Sequence, residues 1–238
     1  MAGQTVWGEI QGRTITFPMA VPHSNIATML FTVPSQPAAA LLPGDAFEVV
    51  ETGPGVTQLV VAACDYVDNP WGDYDEINLG LLARPVGASA DVVGSFVYRM
   101  PVNQDFTCEA GNRVMGFPKT VERIDTTYTD DDVSFALTFD GEFALRVTVP
   151  RVAATAAPVS IAAQSYSYLD GVAMSTTLEM DMGEMVPDPA LVRLELGTGV
   201  VADELRILGL PATPDFASWG EHLAAVFHLG EPVVAGSG

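Results

Sequence analysis

The chain has 238 residues, 48% of them hydrophobic, and its thirty acidic and ten basic residues give a formal net charge of −20. This content supplies a large apolar core and excludes a disordered chain, so we predict one domain over residues 1–238 with a disordered tail at 235–238. A diffuse negative charge repels nucleic acid and anionic membrane surfaces, so we expect neither as a partner.

Several classes of protein are disfavoured by missing sequence features. No apolar run reaches the length of a membrane span, and residues 1–17 lack the layout of a signal peptide, so we expect a cytoplasmic protein. Cys64 and Cys108 are too few for a disulfide framework. The chain has no glycine-rich phosphate loop, zinc-binding histidine pair or nucleophile-elbow motif. We therefore expect no metal and no cofactor.

Short runs of β-branched and aromatic residues, separated by turn-forming residues, predict many strands. In chain order these cover residues 14–17, 26–33, 47–51, 57–65, 76–84, 92–100, 132–149, 165–181 and 191–196. The segment 132–149 is the clearest hairpin, because Asp140-Gly141 between two alternating runs accepts the positive φ of a type I′ turn. The segment 165–181 is expected to bend near Gly171.

Two helices are expected among these strands. The first covers residues 103–114, with Asn103 as its cap. Pro118 disfavours helix at the preceding residue, so Lys119 should lie where this helix gives way to an extended segment. The second begins after Thr213, where an apolar stripe containing Phe216, Trp219 and Leu223 ends before residue 230. Many strands and few helices predict a mainly β, α+β fold.

Lys119 is the only lysine in the chain, and the other nine basic residues are arginine. A guanidinium group cannot form an imine, whereas a neutral ε-amine attacks ketones readily. The alternative interpretation is an ordinary surface lysine, which is the usual place for this residue. The removal of lysine from every other position favours a covalent catalyst.

Two segments resemble one known family. Residues 111–119, Gly-Asn-Arg-Val-Met-Gly-Phe-Pro-Lys, resemble the Schiff-base lysine segment of the acetoacetate decarboxylase superfamily. Upstream, Gly72-Asp73-Tyr74-Asp75-Glu76 is similar to the family's Tyr-x-Glu element, which supplies an active-site carboxylate. The resemblance implies a cone-shaped β-barrel of antiparallel strands that holds the lysine inside, and a homo-oligomer.

The resemblance also implies a reaction. The lysine amine condenses with a small keto acid or ketone, and the protonated imine then accepts electrons. Carbon dioxide leaves in the decarboxylases, whereas relatives that act on pyruvate use the imine and its enamine for aldol, retro-aldol and dehydration steps.

The sequence departs from the family pattern at three places. Thr120 replaces a second lysine; in acetoacetate decarboxylase itself a neighbouring cation activates the nucleophile. Pro22-His23-Ser24-Asn25 replaces an arginine that steers the substrate carboxylate. Val61 replaces an additional glutamate, and Asp65 is the nearest carboxylate. We therefore expect burial to lower the pKa of Lys119, and a substrate other than acetoacetate.

The predicted catalytic residues are Lys119, as nucleophile, and Glu76, as proton shuttle. The resemblance and the flanking sequence offer five candidates for substrate binding: Arg113, Asp65, Tyr74, His23 and Phe117. Arg84 and Arg99 on predicted strands are further candidates for holding a carboxylate.

The leading hypothesis is a Schiff-base carbon–carbon lyase that acts on a small keto acid. Aldolase or dehydratase activity is slightly favoured over decarboxylation. Two alternatives stay open. The first is a non-catalytic barrel that binds a small hydrophobic molecule, and the second is an isomerase or cyclase that uses the cavity without an imine.

Overall fold

The computed structural model describes residues 4–233, and it is 58% strand and 12% helix. The predicted disordered tail at 235–238 lies outside the described residues. The strands are β1 (Thr5–Ile10), β2 (Arg13–Phe17), β3 (Met19–Pro34), β4 (Phe47–Val49), β5 (Val56–Asp68), β6 (Tyr74–Pro85), β7 (Gly94–Val102), β8 (Lys119–Val121), β9 (Arg123–Tyr128), β10 (Asp132–Phe139), β11 (Glu142–Pro150), β12 (Val159–Leu169), β13 (Val172–Met182), β14 (Glu184–Met185), β15 (Arg193–Leu196), β16 (Phe216–Phe227) and β17 (Glu231–Pro232).

The helices are α1 (Ser35–Ala39), α2 (Asp105–Ala110) and α3 (Gly199–Ile207), with a π-helical turn at Gly111–Met115 and a 3₁₀ turn at Pro189–Leu191. Within residues 4–233, each helix is too short or too polar to cross a lipid bilayer.

Seven strands close into a barrel in the order β16-β3-β5-β6-β7-β12-β13, and β13 pairs again with β16. Neighbouring strands are antiparallel except β7 and β12, where Ser95 lies opposite Ser165 and Phe96 opposite Tyr166. An odd number of strands cannot alternate in direction around a closed ring, so one parallel pair is required. The predicted barrel is confirmed, and its expected antiparallel pairing is corrected at this one contact.

Side chains alternate between the inside and the outside of the barrel wall, as the pleat of a strand requires. On β3, Ile26 and Thr28 line an interior cavity. The intervening side chains, Ala27 and Met29, belong to the main hydrophobic core outside the barrel. The wall therefore separates a cavity from a packed core.

The main core lies between the barrel and a four-stranded sheet in the order β15-β11-β10-β9. Phe135 and Leu137 on β10 pack there with Met29 of the barrel, and Val201 and Leu205 of α3 join the same cluster. The predicted hairpin is confirmed between β10 and β11, with φ of 51° at Asp140 and 80° at Gly141.

Each predicted strand overlaps an observed one, but the predicted helix after Thr213 is wrong. Residues 216–227 form β16, which pairs with β3. The register shifts between Gly220 and Leu223 and again between Leu223 and Ala225. These bulges interrupt the period-two alternation, so the apolar spacing of this strand resembles that of a helix.

The helix α3 was not predicted, although its sequence carries a signal. Val201, Leu205 and Leu208 are buried. Their spacing of four and three residues is that of one helical face.

We predict that Leu137→Ala lowers the free energy of unfolding by about 2–5 kcal/mol, because it leaves a cavity in the core between barrel and sheet. Leu137 is 0% exposed, whereas Ile207 is 65% exposed. The control Ile207→Ala should therefore change stability by no more than about 0.5 kcal/mol. Urea unfolding measures both, and equal effects would contradict the assigned core.

Candidate active site

The side chain of Lys119 is buried, with 5% of it exposed. The residue begins β8, which runs parallel to β7 with Lys119 opposite Met100. The alternative interpretation as a surface lysine is therefore wrong.

The segment leading to Lys119 is helical, as predicted, but its cap differs. The Gln104 side chain accepts a hydrogen bond from Thr107 N at 3.0 Å and caps α2. Asn103 instead accepts from the backbone N of Asp75 and donates to its carboxylate, both at 2.8 Å. α2 passes directly into the π-helical turn, and Gly116 ends that turn with φ of 68°. π-Turns of this kind occur frequently at functional sites.

Asn112 fixes the backbone of Lys119. Its Oδ1 accepts from Lys119 N at 2.8 Å, and its Nδ2 donates to Lys119 O at 3.1 Å. These two bonds hold Lys119 against the π-helical turn. Sequence reasoning missed this role, although Asn112 lies inside the segment that carries the family resemblance.

Gly111 leaves room for the lysine side chain. A Cβ at this position would lie 2.6 Å from Lys119 Cδ and 2.7 Å from Lys119 Cε. Non-bonded carbon atoms do not approach each other so closely. A side chain at position 111 would therefore force Lys119 to shift from its path across the helical turn.

Glu76 meets the lysine from the barrel wall. Lys119 Nζ donates to Glu76 Oε2 at 2.7 Å and to Thr107 Oγ1 at 3.3 Å. The Glu76 side chain is 6% exposed, and the Tyr74 ring centroid lies 5.1 Å from Nζ. The two predicted catalytic residues thus form a buried ion pair, with Thr107 as a partner that sequence reasoning missed.

The electrostatics of this pair differ from the expectation. Burial by itself lowers the pKa of Lys119, but the Glu76 carboxylate and Tyr74 more than offset it, so this pKa lies above its ordinary value. The expected lowering is therefore wrong for the unliganded site. Burial also raises the pKa of Tyr74 to about 12, so its hydroxyl is neutral at pH 7.

The barrel interior has two compartments. The larger is a cavity of about 140 Å³, and the smaller, beside Lys119, measures about 20 Å³. Glu76, Met100, Phe117 and Phe227 line both compartments, so they stand between them. Lys119 lines the smaller compartment. A molecule in the larger cavity would therefore reach the amine past Phe117 and Met100.

Two of the five predicted binding residues, Tyr74 and Phe117, lie with Lys119 and Glu76 around the smaller compartment. Asp65 does not, because Cys64 and Tyr66 on either side of it face the cavity and strand alternation turns Asp65 outward. Its carboxylate accepts hydrogen bonds from Asn25 and Tyr128.

Arg113 and His23 are also outside the residues that line the cavity. Arg113 is exposed and pairs with Glu109, one turn earlier, at 2.7 Å. His23 is exposed, and its ring lies 5.6 Å from that of His222.

The two further arginine candidates are each paired with a glutamate. Arg84 pairs with Glu48 at 2.7 Å, and Arg99 with Glu204 at 2.6 Å.

The family model of acetoacetate decarboxylase (ADC) matches residues 10–201. The fold, the buried lysine and this match define the class, and the chain belongs to the acetoacetate decarboxylase family. No curated protein is close enough in sequence to count as a match.

Several solved structures are similar to this chain in fold. An acetoacetate decarboxylase from Legionella pneumophila subsp. pneumophila str. Philadelphia 1 is 16% identical, with a TM-score of 0.67 over 91% of this chain and 87% of that chain. The enduracididine biosynthesis enzyme MppR, in complex with pyruvate, is 14% identical, with a TM-score of 0.57 over 97% and 98%. An acetoacetate decarboxylase-like enzyme from Sphingomonas wittichii RW1 is 13% identical, with a TM-score of 0.55 over 98% and 100%.

We predict that Gly111→Ala lowers the free energy of unfolding by about 1–3 kcal/mol, because the added methyl group overpacks the lysine side chain. Gly8→Ala is the matched control, since a Cβ at Gly8 would meet nothing within 4 Å. Urea unfolding of both variants measures the difference. Equal stability of the two variants would contradict the packing described here.

We also predict a loss of stability in alkali. Lys119 and Tyr74 have pKa values above their ordinary ones in the folded chain, so folding holds their protons more tightly. Their contribution is complete below about pH 10, the ordinary pKa of tyrosine, and declines as the pH rises further.

Urea unfolding in steps across this alkaline range should therefore show a falling free energy of unfolding. Tyr74→Phe should make the decline shallower, because the phenylalanine has no hydroxyl group that titrates in this range. A decline of the same slope in both chains would contradict the assignment of Tyr74.

Proposed function

We propose that this chain is a Schiff-base-forming carbon–carbon lyase that acts on a small keto acid through Lys119. The observation that carries the proposal is the 2.7 Å contact between the only lysine and Glu76, buried beside an interior cavity. Membership of the acetoacetate decarboxylase family supports a lyase-type reaction.

The ion pair supplies both groups that imine formation needs. Transfer of one proton from Nζ to Glu76 Oε2 gives a neutral amine and a carboxylic acid. The amine lone pair attacks the carbonyl carbon, and the carbonyl oxygen takes the proton from Glu76. Glu76 next receives a proton from the nitrogen and passes it to the departing hydroxyl. Water leaves, the iminium forms, and Glu76 is a carboxylate again.

The iminium then accepts an electron pair from the substrate. In decarboxylation the bond to the carboxylate breaks, carbon dioxide leaves, and the resulting enamine carbon takes a proton before water hydrolyses the imine. In aldol chemistry Glu76 removes a proton from the α-carbon, and the enamine attacks an aldehyde. Both routes convert an iminium on Lys119 into an enamine, so the proposal covers a decarboxylase and an aldolase–dehydratase.

Thr107 and Tyr74 are positioning residues in this scheme. The Thr107 hydroxyl accepts from Nζ at 3.3 Å and limits the directions in which the amine can point. Tyr74 covers the amine with its ring. Together they exclude water from the place where the carbonyl carbon must lie.

One observation favours the alternative of a barrel that binds a hydrophobic molecule without catalysis. The pKa of Lys119 is raised, and a protonated amine is not a nucleophile. In this alternative, the ion pair is a buried structural element and the cavity alone binds the ligand. A homo-oligomer stays a prediction in either case.

We predict that pyruvate or acetoacetate followed by borohydride gives a reduced adduct on Lys119. Because the chain has one lysine, peptide mass spectrometry assigns the adduct without ambiguity. Lys119→Met should give none, and Glu76→Gln should slow its formation by about 10²–10⁴-fold.

Arg113→Gln is the control, since Arg113 is exposed and paired with Glu109. It should form the adduct at the wild-type rate. An unmodified Lys119 peptide in the wild type would support the binding alternative. Assays of carbon dioxide release and of aldol product then separate the two enzymatic forms.

A further inference from the structure

One residue that lines the larger cavity has a buried hydroxyl group without a partner. Thr176 on β13 is 1% exposed and lines this cavity. Among the described residues, its Oγ1 has no hydrogen-bond partner. A buried polar group without a partner is costly and rare in a folded protein, so such a group requires an explanation.

The hydroxyl belongs to a group of neutral polar side chains. Ser165 on β12 lies directly opposite Thr176, and Ser95 on β7 lies directly opposite Ser165. Asn78 follows Glu76 by two residues on β6, and it lines the cavity too. These side chains offer hydrogen bonds but no charge.

Across residues 4–233, the larger cavity has no unpaired cationic side chain that could bind a negatively charged group of the substrate. Of the described residues that line either compartment, Lys119 and Glu76 carry the charged side chains, and they pair with each other at 2.7 Å. Tyr66 and Cys64 in the wall are neutral, because burial raises both of their pKa values. A carboxylate in the larger cavity would find no guanidinium and would face the Glu76 carboxylate.

The size of the cavity limits the group that fits. Its volume is about 140 Å³. An engineered protein cavity of about 150 Å³ accepts a benzene molecule. The space therefore suits one six-membered ring or an alkyl chain of similar volume.

We infer that the part of the substrate beyond the reacting carbonyl is uncharged. It consists of an apolar group of about ring size with one neutral hydrogen-bonding atom that meets Thr176 Oγ1. This inference rests on the proposed function, because it assigns the substrate class of the same site. The carboxylate of the keto acid would then lie at the Lys119 end of the site, where the cationic nitrogen offsets the charge of Glu76.

Calorimetric binding of three probes without a ketone tests the cavity separately from the imine. Benzyl alcohol carries a ring and a hydroxyl, toluene a ring alone, and benzoate a ring and a carboxylate. We expect benzyl alcohol to bind at least about tenfold more tightly than benzoate, because the wall lacks a free cation. Thr176→Val should weaken benzyl alcohol about fivefold to tenfold and leave toluene unchanged.

Two further variants are the controls. Thr176→Ser keeps the hydroxyl and should keep the preference for benzyl alcohol over toluene. Thr177→Ser alters the next residue of β13 and keeps the hydroxyl that accepts from Gln164 Nε2 at 3.0 Å. Thr177 is not among the described residues that line the larger cavity, so this variant should bind all three probes as the wild type does.

The inference is overturned if benzoate binds as tightly as benzyl alcohol. It is also overturned if Thr176→Val weakens benzyl alcohol and toluene equally, or if none of the probes binds. The proposed function fails by a different result, which is the absence of a borohydride-reduced adduct on Lys119. The two failures are therefore distinguishable.

Discussion

The site depends on the buried ion pair between Lys119 and Glu76. Removing two charges from water costs several kcal/mol for each ion, and their mutual attraction repays this only when the geometry is held closely. The structure holds the two partners independently. Glu76 is fixed in the barrel wall between β5 and β7, whereas Asn112 and the π-helical turn fix the backbone of Lys119. The desolvation cost of the buried pair is offset by the packing of the surrounding core.

The same pair explains how a charged amine can serve as a nucleophile. A lysine activated by burial alone would be neutral at rest, but Glu76 raises the pKa of Lys119 above its ordinary value. In the proposed reaction, the proton therefore moves to Glu76, over 2.7 Å, when the carbonyl carbon arrives. Apolar and aromatic side chains line the smaller compartment and leave the two charged side chains only 5% and 6% exposed. In this account, Glu76 keeps the amine protonated at rest and later supplies the proton to the substrate oxygen.

The sequence predicted the central pair of the site better than the side chains around it. Lys119, Glu76, Tyr74 and Phe117 lie in two motifs, and the family resemblance of these motifs implied that both belong to one barrel. Asp65, Arg113 and His23 have suitable side chains, but the direction of a side chain depends on strand register and helix phase. No sequence pattern indicated that Thr107 and Thr176 belong to the site, because the surroundings of a threonine hydroxyl are set by the tertiary structure. The helix predicted after Thr213 was wrong because bulges in β16 change the apolar spacing.

The ionisation of Lys119 can be measured directly, since the chain has no other lysine. An isotope label on the lysine ε-carbon gives one side-chain signal, whose chemical shift follows the charge of the amine across a pH titration. We predict a midpoint above about 10.4, the ordinary value for lysine, in the wild type, and a lower midpoint in Glu76→Gln, where burial still lowers the pKa and Tyr74 alone opposes it. Ordinary midpoints in both chains would show a hydrated amine without a carboxylate partner and would contradict the account.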